Sequence, residues 1–281
     1  MVVYKLRRKY DITVLCDYLH CSRSGYYDWI HRGMPKHNRI DQEKAEAIKN
    51  VFDQKKTRGR RQVQMQLKRQ YGIHMSLGSV HRYMRILNIK SIRKRKYIPQ
   101  KKQEQKLAHS FPNVLKQEFC PSPSTEKWLT DITYIPSRDG TLYLSCIKDI
   151  RDKFIISYHY SDKNNIELVI ETLKKSVTLM PMDKQLILHS DQGSQYVSSD
   201  YHSFLNEKKL IGSMSRKGVP YDNSPMESFF SLFKNEELKL HRGKSMKEMK
   251  AIIDEYIHYY NYERPQYGLK KLTPFEFRSQ Q

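Results

Sequence analysis

Three acids stand at positions where their charge calls for an explanation. Asp131 lies inside the apolar segment WLTDITYI, Asp191 follows the run QLILHS, and Glu227 lies just ahead of a phenylalanine-rich stretch in SPMESFF. If WLTDITYI is a strand, alternation puts Asp131 on the side of Leu129, Thr133 and Ile135. A carboxylate among apolar neighbours is costly unless a partner or a metal receives it. QLILHS reads as a short strand covered on both faces, which places Asp191 at its carboxyl end, the edge where open α/β sheets carry their ligands. Were these two strands neighbours, Asp131 and Asp191 would repel each other, and a divalent cation between them is the natural resolution.

Each acid also has a plain structural reading. Asp191 suits the turn after a strand. Glu227 completes a capping box with Ser224 as N-cap and Pro225 at N1. Spacing shifts the balance, because the 35 residues between Asp191 and Glu227 supply a helix, a strand and a loop, enough to return the chain to the same sheet edge. On the Glu227 helix, Met226, Phe229, Phe230 and Phe233 form a buried stripe, while Glu227, Ser231 and Lys234 share another face, with Lys234 placed for a phosphate.

The elements that must hold these acids follow from periodicity. Three strand-like segments, WLTDITYI, GTLYLSCIKDI and KFIISYHYS, are separated by short turns. NNIELVIETLKKSV then reads as a helix with Ile166, Val169, Ile170, Leu173 and Val177 aligned, QLILH as a strand, SSDYHSFLNEKKL as a helix capped near Ser198 or Ser199, and IGSMS as a fifth strand. The expected fold class is α/β, a ribonuclease-H-like core with a mixed sheet over 124–240. All-α helix-turn-helix segments precede it, and a helical tail over 241–281, capped by Ser245 and Glu248, follows.

Upstream, DITVLCDYLH and SGYYDWI outline a small helix-turn-helix over 1–38. A second unit over 39–97 has a helix from Asp41 to about Phe52, a helix ending at Gly72, and SVHRYMRIL with Ser79 as N-cap and His81, Arg82 and Arg85 outward. The chain carries a net charge of +21, and 16 Lys and Arg with no Asp or Glu fall between Gln54 and Lys102. A one-signed stretch of that length is the footprint of a phosphate-binding surface, and outward basic residues on a second helix suit a DNA groove. Arg58, Arg60, Arg61, Arg93, Lys94, Arg95 and Lys96 belong to the same surface, and 98–123 reads as a linker lying along phosphate backbone.

Taken together, W-x-T-D-I-T at 128–133, H-S-D-Q-G-S-Q-Y at 189–196 and D-N-S-x-x-E-S-F-F-x-x-x-K-x-E from Asp222 to Glu236 resemble the catalytic signature of transposases of the insertion-sequence-3 group, second reading frame product, whose core is similar to retroviral integrase. The tail YNYERPQYGLKKLTPFEF and the basic helix-turn-helix extend the resemblance over nearly the whole chain. Gln266 stands where the family often has His, Ser224 where Ala is commoner, and RGRRQV departs from a Tyr-Gly motif.

The resemblance implies that Asp131, Asp191 and Glu227 hold two Mg²⁺ ions, with Mn²⁺ as a substitute, for cleavage and strand transfer of DNA by phosphoryl transfer. It implies double-stranded DNA partners, namely terminal inverted repeats and a target, a homo-oligomer on DNA, and an upstream-frame partner or fusion. Tyr260, Asn261 and Arg264 match the tail motif, with Arg264 as a DNA contact.

Four cysteines without a C-x-x-C pair, no apolar run of 18 residues and no signal-peptide pattern point to a cytoplasmic, nucleoid-associated protein without a membrane span. Two rivals stay open: a non-cleaving DNA-binding regulator or accessory subunit, and a ribonuclease-H-like nuclease without strand transfer. With 20 tyrosines, a tyrosine nucleophile is also open, and His189 is a candidate phosphate donor.

Overall fold

The structure, a computed structural model, describes residues 2–33, 40–92, 110–120, 125–180, 184–217 and 219–280. Arg93, Lys94, Arg95 and Lys96, and most of the expected linker, lie outside the described residues.

The amino-terminal unit has three helices, one more than the sequence pattern predicts: α1 (Val2–Leu6), α2 (Ile12–Tyr18) and α3 (Arg23–His31). Asp11 and Ser22 cap α2 and α3 through Thr13 N and Gly25 N, and Val3, Leu15, Cys16 and Tyr26 close a small core. Next come α4 (Gln42–Gln54), α5 (Arg60–Tyr71) and α6 (Leu77–Ile86) around Ile48, Val51, Val63, Leu67, Val80 and Met84. Gly72 ends α5 at φ 65°, the left-handed geometry that a residue without Cβ adopts freely. α6 starts earlier than the sequence pattern predicts: Ser76, not Ser79, is its cap, its hydroxyl accepting from Ser79 N at 3.1 Å.

The core sheet comprises β1 (Thr125–Ser137), β2 (Gly140–Asp149), β3 (Ile155–Ser161), β4 (Gln185–Ser190) and β5 (Ile211–Met214), in the order β3-β2-β1-β4-β5. The first three strands meander antiparallel, whereas β4 runs parallel to β1 and β5 parallel to β4. α7 (Ile166–Ser176) and α8 (Ser199–Glu207) cover one face through Val169, Leu173, Tyr201 and Leu205 on Trp128, Ile147 and Leu188. Val177 falls in a 3₁₀ turn beyond α7, whose buried side is Leu168, Val169, Thr172 and Leu173. α9 (Ser224–Phe233) and α10 (Met246–His258) cover the other face, with Met226, Phe229, Phe233 and Ile253 on Leu129, Ile135 and Leu144. This three-layer arrangement of a mixed sheet is the ribonuclease-H-like core expected. Among the described residues no helix is long and apolar enough to cross a membrane.

The tail is a staple. After α10, a π-helical turn at Tyr259–Glu263 leads to α11 (Pro274–Arg278). Asn261 pairs with the main chain of Ile155 in both directions, accepting from its N–H at 2.9 Å and donating to its carbonyl at 3.1 Å, which anchors the start of edge strand β3. The helix-turn-helix unit docks on this tail. Gln62 and Gln66, one turn apart on α5, donate to the carbonyls of Pro265 and Glu263, Arg69 pairs bidentately with Glu276, and Lys55 pairs with Glu237. Carbonyls at a helix's end lack intrahelical donors, so the glutamines satisfy groups that the tail cannot satisfy alone.

Candidate active site

Asp131 and Asp191 are carried by neighbouring parallel strands, Asp131 within β1 and Asp191 directly after β4. The ladder pairs Trp128 with Leu188 and Leu129 with His189. Asp131 lies two residues beyond that last pair on β1, and Asp191 is the first residue after β4 ends at Ser190. Both side chains are half-buried. Asp131 Oδ1 accepts from Ile132 N at 2.8 Å and Asp191 Oδ1 from Gly193 N at 2.8 Å, so backbone donors fix one oxygen of each carboxylate. A Cβ at Gly193 would stand 2.9 Å from that Asp191 oxygen, which explains a glycine there.

The electrostatics place the same groups together. Burial, then Asp131 and Asp191, push the Tyr196 hydroxyl well above its ordinary value. Tyr196 is buried with its hydroxyl 3.2 Å from Thr130 Oγ1, so its oxygen faces the interior and not a substrate. Burial lowers the Lys234 pKa while Asp131 opposes the shift, and the ammonium lies 4.7 Å from the Tyr134 ring centroid.

Glu227 arrives differently from its expected route. No capping box forms: a 3₁₀ turn at Pro220–Asn223 runs straight into α9, Asn223 occupies the cap position without a side-chain cap bond, and Ser224 is already helical. Glu227 is exposed on α9, which packs against β1. Asn223 instead sends its amide to the Thr130 carbonyl at 3.2 Å, bonding the α9 entry to the residue before Asp131. Among the described residues no group of three or more His, Cys, Asp or Glu converges as a metal cage. The Asp131–Asp191 pair, all hard oxygen donors and half-buried, fits a divalent cation of the Mg²⁺ type, and Glu227 stands on the helix that covers this face.

His189 is not a phosphate donor. It is fully buried between the hydroxyls of Ser213, 2.9 Å from Nδ1, and Ser215, 3.0 Å from Nε2, and burial pushes its pKa down to about 4. The loop before α9 is built around Asp222, which nothing in the residue pattern singles out beyond its place in the motif. Arg216, Asn113 and Gln117 all donate to its buried carboxylate, and the Arg216 bonds hold its pKa well below the usual carboxylate range.

Family models agree with this layout. Integrase core domain models match residues 122–220 and 210–274, and an HTH-like domain model matches 39–97. An insertion element IS600 31 kDa protein of Shigella sonnei is 34% identical over 94% of this chain and 97% of its own length. The putative transposase InsK of insertion sequence element IS150 from Escherichia coli is 32% identical over 99% of this chain and 97% of its own length. The chain belongs to the insertion-sequence transposases. A transposase-like protein of Haemophilus influenzae is 41% identical over 62% of this chain and 80% of its own. The transposase InsF of insertion sequence IS3A from Escherichia coli is 29% identical over 99% and 97%. Among solved structures, the catalytic core of HTLV-2 integrase with magnesium aligns at 14% identity over 60% of this chain and 97% of that one, with a TM-score of 0.42.

Of the basic residues expected to meet DNA in this transposase, Arg60, Arg61, His81, Arg82 and Arg85 are exposed. Two are not available. Arg58 is buried, donating to the Val51 carbonyl at 2.7 Å and to Gln54 at 2.8 Å, where it ties α4 to the loop before α5. Arg264 is buried too, its guanidinium bidentate on Glu236 at 3.0 and 2.7 Å, so it locks the tail to the π-helical turn after α9. Both sit in basic or motif-rich stretches, and their partners become visible only in the folded chain.

Proposed function

We propose that this transposase cleaves and joins DNA strands at the ends of its insertion sequence, with Asp131, Asp191 and Glu227 as the carboxylates that hold its divalent cations. The observation that supports the reading is that Asp131, within β1, and Asp191, just past the end of the parallel neighbour β4, both act electrostatically on Tyr196, with Glu227 on the helix that packs against β1. Two Mg²⁺ ions bound there, or Mn²⁺ in their place, would activate a water or a 3′-hydroxyl and stabilise the leaving oxygen of a phosphodiester. The protein's own part is positional. Backbone N–H groups orient Asp131 and Asp191, Asn223 fixes the α9 entry, and Lys234, at the end of α9, offers a cation to the substrate phosphate.

DNA reaches the site through the helix-turn-helix unit. The exposed His81, Arg82 and Arg85 on α6, with Arg60 and Arg61 at the start of α5, form the face that would meet terminal repeats. A multimer on two DNA ends, and a contribution from an upstream-frame product, rest on the family likeness.

The test is a labelled end duplex incubated with the protein in Mg²⁺, in EDTA, and with Asp191→Asn, resolved on a denaturing gel. Metal-dependent nicks and longer joined strands, both lost in the variant, are the expected result. Hydrolysis products without joined strands would reduce the activity to a nuclease, and products that persist in Asp191→Asn would remove that acid from the site.

A further inference from the structure

β2 carries a lysine that the chemistry above does not use. Lys148 stands opposite Leu129 in the antiparallel ladder, on the strand next to the one bearing Asp131. It is 3% exposed, on the face covered by α9, and its Nζ lies 5.9 Å from the ring centroids of both Phe229 and Tyr260. From there it donates to the Pro225 carbonyl at 2.8 Å.

Stability does not account for this side chain. Taking an amine out of water into a pocket of aromatic rings is costly, and one hydrogen bond offsets only part of that cost. Burial, with the Arg264 charge adding to it, pushes the Lys148 pKa down to about 7. A methionine of similar volume would avoid the penalty, since buried charged groups replaced by apolar ones of like size are often neutral or more stable. The position of the bond does offer a reason. Pro225 lies in the first turn of α9, two residues before Glu227, in a helix that begins without a side-chain cap. Asn223 fixes this entry from β1, and Lys148 fixes it from β2.

We infer that Lys148 is a positioning residue for Glu227, its amine reaching from β2 to the Pro225 carbonyl to set where the first turn of α9 stands over Asp131 and Asp191. This rests on the reading that Glu227 shares the cation site with the two aspartates. A carboxylate misplaced by a fraction of an ångström loses affinity for the metal without any loss of fold.

The experiment compares the full chain with Lys148→Met, Lys148→Arg and Glu227→Gln in three measurements: Mn²⁺ binding by loss of its free-ion electron paramagnetic resonance signal, the Mg²⁺ concentration at half-maximal strand cleavage, and the urea midpoint. Lys148→Met is expected to keep or raise the urea midpoint, weaken Mn²⁺ binding about tenfold and raise the half-maximal Mg²⁺ by a similar factor. Lys148→Arg, which keeps a donor, is expected to recover part of both metal readouts. Wild-type metal binding and cleavage in Lys148→Met would overturn the inference. So would a Met variant that fails to fold, or one whose losses in stability and activity run in parallel, since both assign the lysine to stability. Glu227→Gln separates the two claims: if it binds Mn²⁺ and cleaves like the parent, the underlying site assignment is wrong whatever Lys148 does.

Discussion

The Asn223 side-chain amide donates to the Thr130 carbonyl at 3.2 Å, so the residue before α9 is bonded to the residue before Asp131. The bond is buried and links two acids that the sequence holds 96 positions apart, through the residue next to Asp131 and the residue four before Glu227. Asn223→Ala is therefore expected to cost about 1 kcal/mol of stability. Strand cleavage should fall further, by roughly 10- to 100-fold, because small displacements of reacting groups cost that much. Thermal unfolding and single-turnover cleavage at saturating DNA measure the two. A cleavage loss no larger than the loss of folded protein would show that the bond serves folding alone.

Arg264 and Arg82 should behave as opposites although both are arginines of a basic chain. Removing Arg264 leaves Glu236 as a buried charge with the Tyr256 hydroxyl, at 3.2 Å, still donating to it, so Arg264→Ala is expected to destabilise by about 3 to 5 kcal/mol. Its folded fraction should bind end DNA as the parent does. Arg82→Ala, at an exposed position on α6, is expected to leave the unfolding midpoint within about 0.5 kcal/mol and to lower DNA affinity, with a salt slope smaller by about 1. Denaturant titrations beside binding isotherms at several salt concentrations test both, and weakened binding by folded Arg264→Ala would return that residue to the DNA surface.

The contrast shows what the sequence carried. Apolar runs and helical stripes mark the strands and helices, and an acid following an apolar run, as at Asp191, marks a strand end. Side-chain fates that depend on distant partners did not show. Arg58 reads as a phosphate contact because charge is local in a sequence, and Arg264 as a DNA contact because it matches the family's tail motif, whereas the Val51 carbonyl and the Glu236 carboxylate that bury them are brought by tertiary packing. Ser224 read as a cap because S-x-x-E is a local pattern, and the preceding 3₁₀ turn displaced it. Lys148 in SCIKDI looks like an ordinary strand lysine, since nothing nearby announces an acceptor 77 residues away.

A pH effect on stability follows from the acids at the end of β2. Asp149 and Asp152 are both buried and share Arg278 of α11, whose guanidinium lies 3.0 Å from Asp149 and 2.5 Å from Asp152. Burial, with Asp152 beside it, pushes the Asp149 pKa up to about 6 from 3.8. A carboxyl whose folded value is raised favours the folded state while protonated. That contribution is complete below pH 3.8 and is lost as pH rises through about 6. Between pH 4 and 7.5 the parent should lose on the order of 2 to 3 kcal/mol relative to Asp149→Asn, which cannot ionise there. Parallel urea midpoints of the two proteins across that range would exclude the shift.

The docking of the helix-turn-helix unit on the tail rests on polar groups, which makes it separable from both cores. Gln62 and Gln66 are buried on α5 with their amides on the Pro265 and Glu263 carbonyls, and the Arg69–Glu276 pair beside them is partly exposed and worth little by itself. Changing both glutamines to Ala removes two donors and leaves two carbonyls without them, at about 1 to 3 kcal/mol each if the interface stays closed. Opening the interface lets water satisfy those carbonyls at less cost, so opening is the expected response. Amide hydrogen exchange should then speed up in the Gln62→Ala, Gln66→Ala double variant at the α5 and tail surfaces. The interiors around Leu67 and Ile253, which belong to separate apolar clusters, should keep their protection. Binding of end DNA should persist, because His81, Arg82 and Arg85 face solvent on α6, while cleavage falls if a fixed angle between the DNA-binding unit and the acids is what presents the strand. Unchanged exchange at α5 would mean that other contacts hold the unit in place.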